Sequence, residues 1–154
     1  MSSSRIDQFL QLRRIAVVGV RRRGASEPGN AIYKKLKSAG YTVYAVNPHL
    51  SFLEGDRCFR SLTDIPDKPD GVVITTHPKR SLSLADEAVR IGIQHVWFHR
   101  SFGDGSVSDA AVSFCREHDV EPIVGGCPMM FVAPVDVGHR CIRWMLKVSK
   151  KLPA

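Results

Sequence analysis

Five short runs of apolar and β-branched residues recur along the chain, and the stretches between them carry apolar residues at helical spacing. Runs such as IAVVG and VVIT are almost continuously apolar, which is typical of parallel strands covered on both faces. The alternation of strands with helical stretches indicates βα units and a parallel sheet. The five predicted strands are Ile15–Gly19, Tyr41–Val46, Gly71–Thr75, His95–Phe98 and Val120–Val124.

This pattern predicts an α/β fold of the Rossmann-like, doubly wound class, with a five-stranded parallel sheet of order 3-2-1-4-5 and helices on both faces. A chain of 154 residues is long enough for one buried core, so we predict a single domain over residues 1–154. A short helix within Ser4–Arg13 opens the chain, and Asp136 caps a C-terminal helix over 136–149. The polar segment Pro48–Pro69 has room only for a short helical turn at Ser61–Ile65.

Ligands of doubly wound sheets bind outside the carboxyl ends of the strands, at the point where the strand order reverses. That rule selects the five turns Gly19–Arg23, Asn47–Pro48, Thr76–Pro78, His99–Phe102 and Gly125–Met129. In the first turn, three consecutive arginines follow a strand and precede a helix, whose N-terminus attracts anions. We therefore predict that a phosphate-bearing nucleotide cofactor binds at this arginine-rich turn.

The glycines of GVRRRGASEPG match neither GxGxxG nor GxxxxGK[ST], which argues against a P-loop ATPase. Val46, Asn47 and Pro48 stand where NAD requires an acidic residue, so NAD is disfavoured. One alternative is an NADP-linked oxidoreductase, with the arginines on the 2′-phosphate and His99 or Tyr33 as the acid. The net charge of +7 suggests a nucleic-acid or partner-binding module, although the aromatic interleaving of a single-strand reader is missing.

The remaining composition narrows the class of protein. Cysteines at 58, 115, 127 and 141 form no CxxC pair, so we predict free thiols and no metal site. No apolar run is long enough to cross a bilayer, and residues 1–14 lack the pattern of a secretory signal. We expect a cytoplasmic protein with no membrane partner, and a homodimer through Trp144 or Met130 stays open.

Several motifs occur in a fixed order: IAVVGV before an Arg/Ser loop, AVNP, CFRSLTDIPDKPD before VVITTHP, GIQHVWFHRSF and VGGCPM. Over roughly residues 10–130 this set resembles the stand-alone CoA-binding domain family, which is similar to the nucleotide-binding domain of the succinyl-CoA synthetase α-subunit. The resemblance implies that coenzyme A or acyl-CoA binds with its phosphates at the loop after strand one. The ends of strands two to four would then line the adenine and pantetheine path.

Carried onto this sequence, the resemblance implies a set of cofactor-binding residues at the strand ends. They are Gly19, Val20, Arg21, Arg22, Arg23, Asn47, Pro48, Thr76, His77, Pro78, Trp97, Phe98, His99 and Arg100. We add Cys127 and Pro128, which follow strand five at the crevice, with two alternatives for the thiol: exchange with the CoA thiol, or an inert buried cysteine. The phosphorylated histidine of the larger synthetases has no counterpart here, so we predict a carrier, sensor or regulatory module without catalytic residues.

Overall fold

The computed structural model describes residues 3–24, 26–101 and 103–153, and its central element is a seven-stranded sheet. The strands are β1 (Arg14–Val18), β2 (Thr42–Val46), β3 (Phe52–Leu53), β4 (Asp56–Phe59), β5 (Gly71–Ile74), β6 (His95–Phe98) and β7 (Ile123–Val124). Their order is β3-β4-β2-β1-β5-β6-β7, and β3 pairs with β4 in the antiparallel sense while the other neighbours are parallel. The predicted α/β, Rossmann-like class is confirmed.

Two details of the predicted sheet are wrong. The sheet has seven strands instead of five, because the segment read as a broken crossover forms the hairpin β3–β4. The short helical turn expected at Ser61–Ile65 is present as a 3-10 helix, Leu62–Asp64. The third predicted strand, now β5, lies beside β1 and not beside β2, so the five predicted strands have the order 2-1-3-4-5. β4 takes the position next to β2 that had been given to β5, and the reversal of strand order falls between β1 and β5.

The helices are α1 (Arg5–Leu10), α2 (Pro28–Ser38), α3 (Pro78–Arg90), α4 (Asp109–Glu117) and α5 (Val137–Val148). Proline occupies the first position of α2 and α3, where the missing N–H costs no hydrogen bond. The ends of α5 agree with the interval expected from the sequence, because Asp136 is the N-cap and Ser149 the C-cap. None of the helices that the structure describes has the length and apolar character needed to span a bilayer.

Side chains alternate across the sheet and build one apolar layer on each face. Ile15 and Val17 of β1 join a cluster with Phe9 of α1 and with Ile32 and Leu36 of α2. Ala16 and Val18, one position out of step, join a second cluster that contains side chains of α3 and α4. Because both faces are covered, the carboxyl edge of the parallel strands is left to build a binding site.

Candidate functional site

The turn after β1 passes so close to its neighbours that it requires glycine. Gly19 has φ +107°, and a Cβ there would lie 2.5 Å from Thr75 Oγ1. At Gly29, in the first turn of α2, a Cβ would lie 2.9 Å from the carbonyl oxygen of Gly19. Only glycine adopts this conformation without strain and without a side chain in the gap. The turn is thereby pressed between β5 and the start of α2.

Side-chain amides from two directions fix the backbone of this turn. Asn30 of α2 accepts a hydrogen bond from Arg21 N–H at 2.7 Å and donates to Arg21 C=O at 2.8 Å. Asn47, after β2, donates to Val20 C=O at 2.6 Å and accepts from His49 N–H at 2.7 Å. The Asn47 amide, predicted to contact the cofactor, therefore has both of its polar atoms engaged in holding the turn.

Two pockets open at the carboxyl edge, one on each side of the β1–β5 reversal. The first, which we call the α5 pocket, has a volume of about 630 Å³ and includes residues of α2, the strand ends and α5. It is lined by Arg21, Ser26, Pro28, Ala31, Thr75, Thr76, His77, His99, Ser101, Gly105, Cys127, Met129, His139 and Ile142. Proline, alanine, methionine and isoleucine give it an apolar wall opposite the turn.

The second, which we call the α3 pocket, has a volume of about 400 Å³. It is lined by Val18, Gly19, Val46, Asn47, Pro48, His49, Arg60, Ser61, Thr76, Arg80, Ser83, Leu84, Glu87 and Arg90. Arg60, Arg80 and Arg90 face a single carboxylate, Glu87, in this lining. Because guanidinium groups offer paired donors to phosphate oxygens, the α3 pocket suits a phosphate-bearing group.

Thr76 lies where the two pockets meet and is part of both linings. Its hydroxyl oxygen is buried and has no hydrogen-bond partner among the described residues, although its carbonyl oxygen accepts from Ser106 Oγ at 2.6 Å. A buried hydroxyl without a partner has lost its hydrogen bonds to water and has formed none within the protein in exchange. The Thr76 hydroxyl is thus a polar group available to a ligand that runs from one pocket into the other.

His99 is a buried, uncharged histidine in the α5 pocket. Burial lowers the pKa of His99 to about 4, and the neighbouring His139 acts in the same direction. The ring nitrogen Nε2 lies 3.3 Å from Ser101 Oγ. At neutral pH the imidazole is therefore neutral, and it offers hydrogen bonding to a ligand without adding charge.

The Cys127 thiol lines the same pocket but is poorly ionised. Burial raises its pKa to about 11, whereas the thiolate is the form that attacks a disulfide or thioester. All four cysteines are free, and Cys141 on α5 is the exposed one. The position of Cys127 agrees with contact to a ligand thiol, but its protonation state argues against the proposed exchange chemistry.

The structure brings together some of the residues implied by the resemblance and separates others. Residues in the α5 pocket are Arg21, Thr76, His77, His99 and Cys127, and residues in the α3 pocket are Gly19, Asn47, Pro48 and Thr76. Val20, Arg22, Arg23, Pro78, Trp97, Phe98, Arg100 and Pro128 line neither of the two.

The residues outside both pockets have other surroundings. Trp97 and Phe98 are fully buried core residues on opposite faces of the sheet, and the Trp97 indole donates to Gly125 C=O at 2.9 Å. Arg100 borders a separate small cavity beside Gly126 and Lys151. Phe102, at the end of one predicted turn, lies outside the described residues.

The arginine-rich turn supplies less positive charge to the pockets than its sequence suggests. Of its three arginines only Arg21 reaches a pocket, and its Nε lies 3.4 Å from Glu27 Oε2. Sequence reasoning missed Arg60, Arg80 and Arg90. Arg60 was missed because strand β4, which it follows, was not recognised from the sequence. Arg80 stands three residues after His77, at the start of a helix that the apolar pattern did indicate.

Tyr33, one of the two acids considered for an oxidoreductase, lies away from both pockets, as does Lys37 one turn further along α2. The Tyr33 hydroxyl donates to Asp56 Oδ2 at 2.5 Å, and Lys37 forms an ion pair with the same carboxylate. Burial and the neighbouring Asp56 raise the pKa of Tyr33 above its ordinary value. The pair joins α2 to β4, and Tyr33 is not placed to act as an acid in either pocket.

Comparison with known proteins identifies the family. Residues 13–133 match the family model described as a CoA binding domain, and the chain belongs to this family. A conserved hypothetical protein from Pyrococcus furiosus is 35% identical with a TM-score of 0.64, over 74% of this chain and 93% of that one. A hypothetical protein from Pyrococcus horikoshii OT3 is 29% identical with a TM-score of 0.74, over 80% of this chain and 84% of that one.

A larger protein contains the same kind of domain. The dinucleotide-forming acetyl-coenzyme A synthetase 1 of Ca. Korarchaeum cryptofilum, in complex with phosphate and ADP, is 26% identical with a TM-score of 0.65. The match covers 80% of this chain but only 27% of the synthetase. The present chain is therefore similar to about a quarter of that enzyme.

Proposed function

We propose that this protein is a cytoplasmic carrier or regulatory module of one domain that binds coenzyme A or an acyl-CoA and has no catalytic residues of its own. The observation that carries the proposal is the contrast between two pockets that meet at Thr76. The α3 pocket has three arginines, whereas the α5 pocket has an apolar wall and a neutral histidine. Coenzyme A has the same polarity along its length, with phosphates at one end and a thiol or thioester at the other.

This polarity assigns a direction to the ligand. The 3′-phosphoadenosine end takes the α3 pocket, where Arg60, Arg80 and Arg90 form charge-assisted hydrogen bonds to phosphate. The diphosphate passes the turn after β1, and the Thr76 hydroxyl donates to the ligand at the crossing. The pantetheine arm then enters the α5 pocket, and an acyl group on the thiol packs against Met129 and Ile142.

The same arginines favour one second candidate, NADP. An arginine near the end of the second strand is a known means of holding a 2′-phosphate, and Arg60 borders the pocket together with Asn47 and Pro48. An oxidoreductase also needs a proton donor at the reacting end. Tyr33 is engaged with Asp56, and the remaining groups of that kind in the α5 pocket are the histidines His77, His99 and His139.

Isothermal titration of the full chain with CoA, dephospho-CoA, NADP⁺ and 3′,5′-ADP separates these candidates. We expect CoA to bind about tenfold more tightly than dephospho-CoA, because hydrogen bonds to charged groups contribute about 1.5–3 kcal/mol. Binding of NADP⁺ but not of CoA at millimolar concentration would replace this proposal by the second candidate.

Two variants test the direction of the ligand. Arg60→Ala with Arg80→Ala should abolish the preference for CoA over dephospho-CoA, whereas Ile142→Trp should weaken CoA and leave 3′,5′-ADP unaffected. Arg116→Ala is the matched control, because Arg116 pairs with Glu121 at 3.0 Å and lines neither pocket. If Ile142→Trp weakened 3′,5′-ADP and the arginine variant did not, the ligand would lie in the opposite direction.

A further inference from the structure

Helix α5 packs one face on the protein and presents a bare apolar face on the other side. Ile142 and Leu146 contact the first core cluster. A stripe at spacings of three and four residues faces away from it, and we call this the α5 stripe: Val137, Cys141, Trp144, Met145 and Val148.

The α5 stripe is unusual in its exposure. The exposed fractions are 73% for Val137, 66% for Trp144, 57% for Met145 and 63% for Val148. Four of the six large hydrophobic side chains exposed within the described residues are therefore on one helix, the others being Phe52 and Leu82. Scattered exposed apolar residues are ordinary, but a contiguous patch marks an interaction surface.

The charge around the α5 stripe is mainly positive, and the N-cap Asp136, next to Val137, is paired with His139 at 2.6 Å. Residues 137–153 contain Arg140, Arg143, Lys147, Lys150 and Lys151 and no Asp or Glu. Arg140 precedes Trp144 by four positions and Lys147 follows it by three, so both cations lie beside the indole on the helix surface. A partner that complements the α5 stripe must therefore offer an apolar region to the stripe and negative charge to the cations beside it.

We propose that the α5 stripe binds the surface of an anionic lipid bilayer, which is independent of the coenzyme site. A helix with an apolar face, an interfacial tryptophan and flanking lysine and arginine is the composition of an interfacial helix that lies in the membrane plane. Such peripheral contact needs no membrane-spanning helix, and it replaces the expectation of no membrane partner, which rested on the lack of an apolar run long enough to cross a bilayer. A second copy of the chain fits less well, because two α5 helices would bring like charges together in proteins of net charge +7.

Other partners also fit less well. Nucleic acid does not complement a face made of valine, methionine and tryptophan. An acidic protein would have to present negative side chains along the whole basic segment. A negatively charged lipid surface presents negative charge everywhere and needs no special arrangement.

The two tryptophans give a selective measurement of this contact. Trp97 has no exposed surface, whereas Trp144 is largely exposed, so acrylamide quenches mainly Trp144. We would measure quenching and co-sedimentation with vesicles of phosphatidylcholine alone and of phosphatidylcholine mixed with phosphatidylserine. We expect Trp144 to be protected only by the phosphatidylserine vesicles, with weaker binding at high salt.

Variants of the stripe and of its charges complete the test. Arg140→Glu with Lys147→Glu reverses two charges and should lower the partition onto phosphatidylserine vesicles by about a hundredfold or more. Val148→Ser, tested separately, should lower it about tenfold. Leu82→Ser, at an exposed apolar position on α3, is the control and should leave the partition unchanged. Circular dichroism checks that every variant is folded.

Three outcomes would overturn the proposal. Trp144 that stays quenchable with every vesicle composition at low salt rejects a lipid contact and leaves the face to an acidic protein. Vesicle binding without protection of Trp144 indicates attraction by net charge alone. Protection that grows with protein concentration in the absence of vesicles, together with a dimer in sedimentation velocity, assigns the face to a second copy.

Discussion

The α5 pocket and the α3 pocket share Thr76 and border the same turn after β1, yet their side chains are of opposite kinds. The α3 pocket concentrates Arg60, Arg80 and Arg90 around the end of β2. The α5 pocket combines apolar side chains with a histidine and a cysteine that burial keeps neutral. The difference teaches that one turn can join two environments, because the sheet places different helices on its two faces.

The largest effect is expected at the turn, where a single change should destabilise the protein and weaken binding in both pockets. Gly19→Ala combines an unfavourable positive φ with a contact of 2.5 Å to Thr75 Oγ1, so we expect a loss of about 3 kcal/mol in the free energy of unfolding. Urea unfolding measures the loss, and titration should show weaker binding of both CoA and 3′,5′-ADP.

Gly40→Ala is the matched control for this variant. Gly40 has φ +94°, but a Cβ there would meet nothing within 4 Å. The control substitution therefore costs only the backbone strain of the positive φ. We expect it to cost about 1 kcal/mol and to leave binding intact. Equal effects of the two substitutions would show that the close approach of the turn to β5 is unimportant.

The second prediction concerns the pH dependence of stability, which should depend on His99 in the α5 pocket. The pKa of His99 is about 4 in the folded protein and near 6.5 when exposed, so the unfolded chain binds more protons between these values. The contribution of His99 to the free energy of unfolding should therefore be fully present above pH 6.5. It should be lost as the pH drops towards 4, which lowers the free energy of unfolding by up to about 3 kcal/mol.

Chemical denaturation across this pH range checks the effect. His99→Gln should flatten the dependence, whereas His118→Asn should not, because the His118 ring is exposed at the end of α4, beside the ring and the carbonyl oxygen of Phe114. An unchanged slope in His99→Gln would mean that other groups govern the acid sensitivity of the protein.

The smallest effect is expected at the junction of the pockets. Thr76→Val removes a buried hydroxyl that has no hydrogen-bond partner among the described residues, so the free energy of unfolding should be unchanged or rise slightly. The affinity for CoA should fall about fivefold, since one neutral hydrogen bond contributes about 1 kcal/mol.

Opposite signs for stability and affinity distinguish ligand contact from a structural role of this residue. Thr76→Ser retains the hydroxyl and should keep most of the affinity. A loss of stability in Thr76→Val with unchanged affinity would show that the hydroxyl serves the fold and not the ligand.

Much of the fold could be predicted because the apolar pattern is strong where the sheet is buried on both faces. The five runs that were recognised correspond to β1, β2, β5, β6 and the edge strand β7, and proline at the first position of α2 and α3 and Asp136 before α5 mark where those helices begin. The hairpin β3–β4 was missed because its strands are only two and four residues long and are partly polar. Its existence depends on pairing with β2, through Ala45 with Cys58 and Val46 with Phe59.

The site was predicted less completely than the fold. The sequence indicated the edge of the sheet at which both pockets open, because the turn after a buried strand is recognisable from Gly19 and the following arginines. It could not indicate that Arg22 and Arg23 line neither pocket, or that Asn47 is used to hold the turn. Those outcomes depend on which way each side chain leaves the backbone.

The sequence by itself determined the class of fold, the family and the edge of the sheet at which the two pockets open, because these follow from local periodicity and from motifs in a fixed order. Only the tertiary structure decided that Arg60 and Arg80 join Pro48 in one pocket, and that His99 and Cys127 join Ile142 in the other. Residues far apart along the chain meet in these two pockets for two reasons. Strand β4 extends the sheet beside β2, and α5 packs against the first core cluster, on the face of the sheet that α2 also covers.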